Sequence, residues 1–323
     1  MSFSTYITYW DKDPYTQVQD MISKNAITPN TRIILAFASF NFSSTNYIPG
    51  LGNMTIDSVK QLTTLVHNNQ AKISLSIGGA TYPFSGSDLY SKPGDLASNI
   101  NTVLNTCGFD GVDFDIEDPG SGVAEDFVNN TSSLINTLRS LNQNLNITLT
   151  TAAQAWAPGM WQQQVINYTI GNLNAWQPME YDLWISPNKK KFDQSNRTRV
   201  SIFDKEKIHR FNVIPPLTDY YNQIQYDINY YITTWGVNPN KIILGLMPGK
   251  DDMGHDLSLE NALNLTTFAM QQGLLGVMTW DANNDGNGID GNAPYAYNMG
   301  ISSQLKQVEI QSVSNVRSCC NIV

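Results

Sequence analysis

The sequence has few cysteines, few charges and no long apolar run, and each absence excludes a class of protein. Its 323 residues include three cysteines, Cys107, Cys319 and Cys320, which form neither a disulfide framework nor a CxxC metal pattern. No apolar stretch approaches the ~20 residues of a membrane helix, so we expect no transmembrane segment. Charged residues make up 15% of the chain and give a net charge of −9. We therefore expect no nucleic-acid partner, because phosphates repel an acidic surface.

The ends of the chain carry little targeting information. The first residues lead straight into a strand-like segment, without the basic region and apolar stretch of a signal peptide. We expect a protein that is exported by a signal-less route and acts outside the cell, or otherwise a cytoplasmic one. The last four residues, from Cys320 to Val323, match a prenylation box next to Cys319. The tail has little polybasic support for lipidation, since its only basic residues are Lys306 and Arg317.

Eight short apolar segments alternate with longer amphipathic ones, mostly at intervals of about 25–40 residues, the length of one βα unit. The predicted strands are Tyr6–Trp10, Ile33–Phe40, Lys72–Gly78, Gly111–Glu117, Ile147–Ala153, Pro178–Trp184, Ile242–Met247 and Gly276–Trp280. This pattern predicts the α/β class and a single (β/α)8 TIM barrel over residues 1–310, with a polar, flexible tail over 311–323. A doubly wound sheet is the alternative. We expect a monomer.

The fourth predicted strand carries an unusual row of acids. Side chains alternate along a strand, so Asp113, Asp115 and Glu117 share one face while Val, Phe and Ile share the other. Buried parallel strands are normally apolar on both faces, and a buried ionised carboxylate is costly unless it is paired or protonated. Three inward carboxylates therefore indicate chemistry and not packing.

A carboxyl relay accounts for these three side chains. Carboxylates a few Å apart share protons, so at least one pKa rises. Glu117 lies nearest the C-terminal mouth, where barrel active sites are found, and we expect it to be the proton donor, with Asp115 and Asp113 sharing a proton behind it. A calcium or magnesium site is the alternative, but the apolar residues between the acids favour a packed strand over a cation-binding loop. We expect no metal and no cofactor.

Four motifs, in order along the chain, resemble those of glycoside hydrolase family 18, the chitinases and their relatives. They are Ser76-Ile77-Gly78-Gly79, Asp110-Gly111-x-Asp113-x-Asp115-x-Glu117, Met179-Glu180-Tyr181-Asp182 and the terminal Trp280 of the eighth strand. The resemblance implies hydrolysis of β-1,4-linked N-acetylglucosamine in chitin or its oligosaccharides. It also implies a retaining mechanism in which the substrate's own 2-acetamido oxygen attacks the anomeric carbon.

The resemblance also assigns roles to the catalytic side chains. Glu117 would protonate the leaving oxygen and then activate water. Asp115 would stabilise the acetamido nitrogen, and Tyr181 would hydrogen-bond the acetamido carbonyl. Asp182 would contact the sugar, with Met179 packed beneath it.

Glycines and aromatic residues complete the predicted sugar site. Trp280 would stack on a pyranose ring, and the alternative for it is core filling. Gly78 and Gly79 would leave room beside the carboxylates, and the alternative is a simple turn. We expect one or two aromatics near strand ends to line the cleft, and we single out Tyr9 and Phe37 from a group that also includes Trp10, Trp156 and Trp184.

The chain departs from larger family members between the seventh and eighth strands. Only about 26 residues separate Met247 from Leu274, so the small α+β insertion of those members is absent. This implies an open cleft and an endo-acting enzyme. Residues 186–217 form either a solvated loop or one wall of that cleft. Two other functions remain open: an endo-β-N-acetylglucosaminidase acting on N-glycans, and a non-catalytic chitin-binding lectin or structural subunit on the same barrel.

Overall fold

The computed structural model describes residues 1–42, 47–82, 90–117, 124–153, 161–183 and 219–306. The strands in this part are β1 (Ser2–Thr8), β2 (Thr31–Ala38), β3 (Lys72–Gly78), β4 (Gly111–Ile116), β5 (Asn146–Ala152), β6 (Ala175–Met179), β7 (Ile243–Leu246), β8 (Gly249–Lys250), β9 (Asp256–Leu257) and β10 (Gly276–Thr279). Strands β8 and β9 form a small antiparallel hairpin. The other eight close a parallel barrel in the order β1-β10-β7-β6-β5-β4-β3-β2, which confirms the predicted (β/α)8 fold.

Helices alternate with the barrel strands and cover the outside. They are α1 (Pro14–Ser23), α2 (Ile56–Asn68), α3 (Pro93–Cys107), α4 (Ala124–Leu141), α5 (Trp161–Thr169), α6 (Tyr220–Thr233), α7 (Leu259–Gln271), α8 (Ala282–Gly286) and α9 over 296–306. Polar side chains cap the N-termini of several helices. Asp13, Asp219 and Ser258 each accept a hydrogen bond from a backbone N–H of the first helical turn. None of the helices in the described ranges is long and apolar enough to span a bilayer.

The barrel wall separates two apolar clusters. The outward side chains of β4, which are Val112, Phe114 and Ile116, belong to the large core between strands and helices. A smaller cluster fills the inside of the barrel and includes Ile34, Met179 and Met278. The alternation predicted for β4 is therefore present, with apolar residues outward and acids inward.

Two predicted strands differ by three or more residues at one or both ends from those in the structure. Strand β1 begins at Ser2, where it pairs with Gly276, and it ends at Thr8 and not at Trp10. Strand β6 runs from Ala175 to Met179, whereas the prediction began at Pro178. Pro178 sits inside the strand, opposite Thr151 of β5.

The structure tests the predicted connection between the last two barrel strands, but several other predictions fall on residues that it does not describe. Between β7 and β10 the chain forms only the β8–β9 hairpin, a turn and helix α7, so the predicted short connection is confirmed. Several predictions concern residues outside the described ranges. They are the excursion over 186–217, the aromatics Trp156 and Trp184, and the tail over 311–323 with its two cysteines.

Candidate functional site

Strand β4 places two carboxyl groups inside the barrel. Asp113 lies opposite Ser76 of β3 and Thr148 of β5, and Asp115 lies one pleat higher, opposite Gly78 and Thr150. Asp113 is completely buried and Asp115 is 3% exposed. Both acids therefore depend on neighbouring side chains, and not on water, for stabilisation.

Asp113 is surrounded by hydrogen-bond donors. Its Oδ2 accepts from Tyr6 Oη at 2.7 Å and Ser76 Oγ at 2.7 Å. Its Oδ1 accepts from Thr148 Oγ1 at 2.6 Å, Thr150 Oγ1 at 2.8 Å and Gln177 Nε2 at 3.1 Å. Burial raises the pKa of Asp113, and the hydroxyl donors oppose that rise. Five donors on two oxygens suit an ionised carboxylate, which can only accept.

Asp115 has the opposite environment. Its Oδ1 is buried and has no hydrogen-bond partner within the described residues. Burial, the charge of Glu117 and the charge of Asp113 together raise the pKa of Asp115 well above its ordinary value. Because five donors already pair with the oxygens of Asp113, a proton shared by the two aspartates is better placed on Asp115.

Glu117 follows the last residue of β4 and is half-buried. Its charge raises the pKa of Asp115 and also that of Tyr181, so its carboxyl group lies within electrostatic reach of both side chains. Of the three acids it is the most accessible and lies nearest the mouth of the barrel. This is the position that a group transferring a proton to a bound molecule must occupy.

Two buried phenols lie beside the acids. Tyr181 follows β6, is 8% exposed, and shares the inner cluster with Met179. Burial, then Asp115 and Glu117, raise the pKa of Tyr181 well above its ordinary value. Burial and the two aspartates do the same for the pKa of Tyr6. Both phenols are therefore neutral hydrogen-bond donors throughout the neutral pH range.

Gly78 and Gly79 end β3 against the acidic strand. Both have positive φ angles, 118° and 71°. A Cβ on Gly78 would collide with the carbonyl oxygen of Asp115, and a Cβ on Gly79 would lie 2.7 Å from the ring of Phe37. The N–H of Gly79 also donates to that Asp115 carbonyl at 2.9 Å. The pair is thus a tight turn that makes room for the backbone of Asp115 and for an aromatic ring.

An aromatic cluster lies at the mouth of the barrel around Trp280. Phe37 is stacked on Trp280 with centroids 5.4 Å apart, and Tyr6 meets the indole edge-on at 5.2 Å. Trp280 is half-buried, whereas Phe37 is 6% exposed. Trp10, which is 50% exposed, stacks on Phe37 at 6.0 Å. Tyr9 contacts Trp10 and lies over Gly52, in the wall beside the cluster.

Asp182 lies at the rim of the barrel in a loop with polar neighbours. Its N–H donates to Asp251 Oδ2 at 2.7 Å, and its Oδ1 accepts from the N–H of Asp252 at 2.7 Å. Desolvation and the charges of Asp251 and Asp252 raise the pKa of Asp182 to about 6. Burial would raise the pKa of Asp251, but hydrogen bonds from His255 outweigh it and lower that pKa. The ring of His255 is held at 2.9 Å from Asp251.

Within the described ranges, no group of three or more His, Cys, Asp or Glu side chains is arranged to hold a metal ion. The hydroxyl, phenol and amide groups around Asp113 donate hydrogen bonds to both of its carboxyl oxygens.

The structure adds site residues that sequence reasoning did not single out as functional. Tyr6, Thr148, Thr150 and Gln177 come from three strands and bond Asp113. A signal for the threonines was available, because Thr148 and Thr150 alternate with apolar residues on β5 and so face the barrel interior. Tyr6 and Gln177 resemble ordinary strand residues and are recognisable only from the closed barrel.

The chain matches the family model of glycosyl hydrolases family 18 over residues 3–253. This range contains three of the four motifs, and Trp280 lies beyond it. The match covers more than half of the chain and therefore shows the family to which it belongs.

Solved structures show the same fold at low sequence identity. A GH18 chitinase from Pseudoalteromonas aurantia has a TM-score of 0.67 and 16% identity, covering 94% of this chain and 100% of that one. Catalytic-site mutants of active domain 2 of the Pyrococcus furiosus chitinase, complexed with chito-oligosaccharides, give 0.64 and 14%, covering 95% of each chain. Human YKL-39, a pseudo-chitinase with retained chitooligosaccharide binding, gives 0.62 and 16%, covering 94% and 99%. With the family match and the closed barrel together, the chain belongs to glycosyl hydrolase family 18, a family of glycosidases.

Proposed function

We propose that this protein is an endo-acting chitinase, which cleaves β-1,4-linked N-acetylglucosamine chains with retention and with the substrate's acetamido group as nucleophile. The observation that carries the proposal is the arrangement on β4. A fully hydrogen-bonded Asp113, a buried Asp115 whose Oδ1 has no partner in the described residues, and a half-buried Glu117 follow one another toward the mouth of the barrel. Such an array can supply a proton to a bound molecule and take it back.

In the first step, Glu117 gives its proton to the oxygen of the scissile glycosidic bond. The acetamido oxygen of the sugar attacks the anomeric carbon as that bond breaks, and the leaving sugar departs with the proton. Positive charge then develops on the acetamido nitrogen, and the unprotonated oxygen of the Asp115 carboxyl accepts a hydrogen bond from its N–H. Held in the attacking position, the acetamido group acts as an intramolecular nucleophile, which can lower the barrier by several kcal/mol.

In the second step, the ionised Glu117 removes a proton from water, which attacks the anomeric carbon from the side of the departed sugar. The product keeps its original configuration, and Glu117 is protonated again. Tyr181 supports both steps, because its neutral phenol can donate to the acetamido carbonyl oxygen.

The residues around the acids suit an N-acetylated sugar. Trp280 has a partly exposed indole, which offers a flat apolar surface for a pyranose ring. Met179 lies in the same inner cluster and can contact the ring and the acetamido methyl group. Asp182 at the rim can hydrogen-bond a sugar hydroxyl. Phe37 stacks on Trp280 and so holds the indole in place. Tyr9 packs over Gly52 beside the aromatic cluster.

Product analysis with chitohexaose tests the proposal. We expect internal cleavage, with products in the β-anomeric form when they first appear in the ¹H NMR spectrum. A fully deacetylated hexamer should not be cleaved, because it lacks the acetamido nucleophile. Initial α-anomers, or equal rates on the two oligomers, would contradict the proposed mechanism.

Substrate choice separates the two alternatives. An endo-β-N-acetylglucosaminidase would release a high-mannose glycan from a glycoprotein and leave chitohexaose intact. A lectin would bind chitohexaose without cleaving it, and the pseudo-chitinase YKL-39 makes this comparison necessary, because the barrel alone does not distinguish binding from catalysis. The presence of Glu117, Asp115 and Tyr181 together favours catalysis.

A further inference from the structure

A polar groove lies on the helical layer between α4 and α5, outside the barrel. It has a volume of about 480 Å³ and is lined by Asn129, Ser132, Ser133, Asn136, Thr137, Ser140 and Tyr168. Six of these residues belong to α4 and the tyrosine belongs to α5. The volume is in the range of small-ligand sites, which span roughly 300–1,000 Å³. None of the residues given a role in catalysis contributes to this groove.

The lining is uncharged although the chain as a whole is acidic. Its side chains are two amides, four aliphatic hydroxyls and one phenol, whereas the chain carries a net charge of −9. The groove therefore offers no ion pair to a phosphate, a carboxylate or a cationic peptide. Amides and hydroxyls both donate and accept hydrogen bonds, and these are the groups that pair with the hydroxyl and acetamido groups of a neutral sugar.

Tyr168 supplies an aromatic surface in this groove. It is 66% exposed, and within the described residues it makes no hydrogen bond and no ring contact. A single exposed tyrosine is ordinary on a protein surface. Here the ring adjoins six hydrogen-bonding side chains, and a flat ring beside such groups is suited to contact with the apolar face of a pyranose.

Ser132 provides an independent indication of a ligand. The residue is 7% exposed, and its Oγ is buried without a hydrogen-bond partner within the described part of the chain. A buried hydroxyl without a partner is costly, and native proteins contain few of them. Neighbouring Asn136 is held in place, because its Oδ1 accepts from Asn172 Nδ2 at 2.8 Å. Because Ser132 lines the groove, this unpartnered hydroxyl belongs to the groove's wall.

We propose that the α4–α5 groove is a second saccharide-binding site, which takes a short stretch of a neutral N-acetylglucosamine chain. The choice of this sugar rests on the proposed function. A site on the helical layer would hold the protein on an insoluble polymer while the barrel mouth acts on a chain end or loop of it.

Binding to chitin beads tests the groove separately from catalysis. We compare wild type, Tyr168→Ala and Tyr226→Ala, a matched change of a half-exposed tyrosine on α6. Tyr168→Ala should bind chitin roughly fivefold more weakly or worse, since one aromatic contact is lost, whereas Tyr226→Ala should bind as wild type. Both variants should hydrolyse soluble fluorogenic chitobioside at the wild-type rate. Equal bead binding by Tyr168→Ala and wild type would overturn the proposal.

A ligand titration locates the binding directly. Chitotetraose is added to ¹⁵N-labelled Glu117→Gln, in which hydrolysis is blocked and the groove is intact. We expect amide shifts of Ser132, Asn136 and Tyr168 in addition to shifts at the barrel mouth. Amide shifts confined to the barrel mouth would overturn the proposal of a second saccharide-binding site. Absence of chitobioside hydrolysis by wild type, with groove shifts present, would instead refute the proposed catalytic function and leave the second site standing.

Discussion

The phenol of Tyr6 on β1 donates a 2.7 Å hydrogen bond to Oδ2 of Asp113 on β4, across the interior of the barrel. The two residues are 107 positions apart in the chain and three strands apart around the barrel. This bond is one of five that stabilise the charge of Asp113. Because Asp113 is stabilised as an anion, the proton of the buried pair stays on Asp115, next to Glu117.

Replacing Tyr6 with Phe should weaken both the fold and the site. The substitution removes one donor from a buried carboxylate and keeps the ring that contacts Trp280. We expect a loss of about 1.5–3 kcal/mol in the free energy of unfolding, measured by urea denaturation at neutral pH. Tyr168→Phe, a change at a 66% exposed ring, is the control and should cost nearly nothing. Equal stabilities of Tyr6→Phe and wild type would show that the bond is not made.

The proton on Asp115 predicts an alkaline limit of activity. The pKa of Asp115 is raised, so the group holds its proton above the ordinary carboxyl range and loses it as the pH rises through that higher value. We expect kcat to fall on this alkaline side. Asp115→Asn should lower kcat by about 10²–10⁴-fold and remove this contribution from the pH profile of kcat. A variant with the wild-type kcat and profile would show that Asp115 carries no proton needed in catalysis.

A second buried acid pair, Glu180 with Asp227, predicts the pH dependence of stability. Burial first, and then Asp227, raise the pKa of Glu180 well above its unfolded value of 4.5. Between these two values the folded chain binds more protons than the unfolded chain, so the free energy of unfolding falls as the pH rises. The contribution of Glu180 is fully present below pH 4.5 and is lost as the pH passes through the folded-state value.

Glu180→Gln tests this dependence, because glutamine cannot titrate. Urea denaturation between pH 5 and pH 8 should give a shallower decline for the variant than for wild type, by up to about 1.4 kcal/mol per pH unit. Glu260→Gln, a change at an exposed glutamate of α7, is the matched control and should follow wild type. Parallel declines in all three proteins would mean that Glu180 is ionised in the folded state.

Gly78 and Gly236 offer a matched pair of glycine substitutions. Both have positive φ angles, but a Cβ would collide with the Asp115 carbonyl at Gly78 and would meet nothing within 4 Å at Gly236. Gly236→Ala should cost about 1–2 kcal/mol of unfolding free energy, from backbone strain alone. Gly78→Ala adds about 1–3 kcal/mol of overpacking and should also reduce kcat, because it moves Asp115. Similar costs at the two positions would contradict the packing of β3 against β4.

Sequence patterns predicted the part of the site that lies on one strand. The alternation from Gly111 to Glu117 is local, so it indicated which acids face inward before the barrel was known. The eight strands are likewise recognisable from their spacing, although β6 begins three residues before its predicted start at Pro178. The roles given to the site residues by family resemblance remain predictions.

The partners and the exposure of the site residues could not be predicted from the sequence, because they depend on closure of the barrel. The donors of Asp113 come from β1, β3, β5 and β6, and only the strand order brings them to one carboxylate. The same holds for Phe37, which the sequence suggests as a cleft residue. In the structure Phe37 stacks on Trp280 and supports that indole. Exposure of a side chain at the site is a property of the assembled barrel and has no local signal.

The most direct test of the central claim is the rate of fluorogenic chitobioside hydrolysis by wild type and Glu117→Gln. Glutamine keeps the size of the side chain and cannot donate a proton to the leaving oxygen. We expect turnover by wild type, a loss of about 10²–10⁴-fold or more in kcat for Glu117→Gln, and the full rate for Glu260→Gln. Equal rates of wild type and Glu117→Gln, whether high or at background, would contradict the assignment of Glu117 as the catalytic acid.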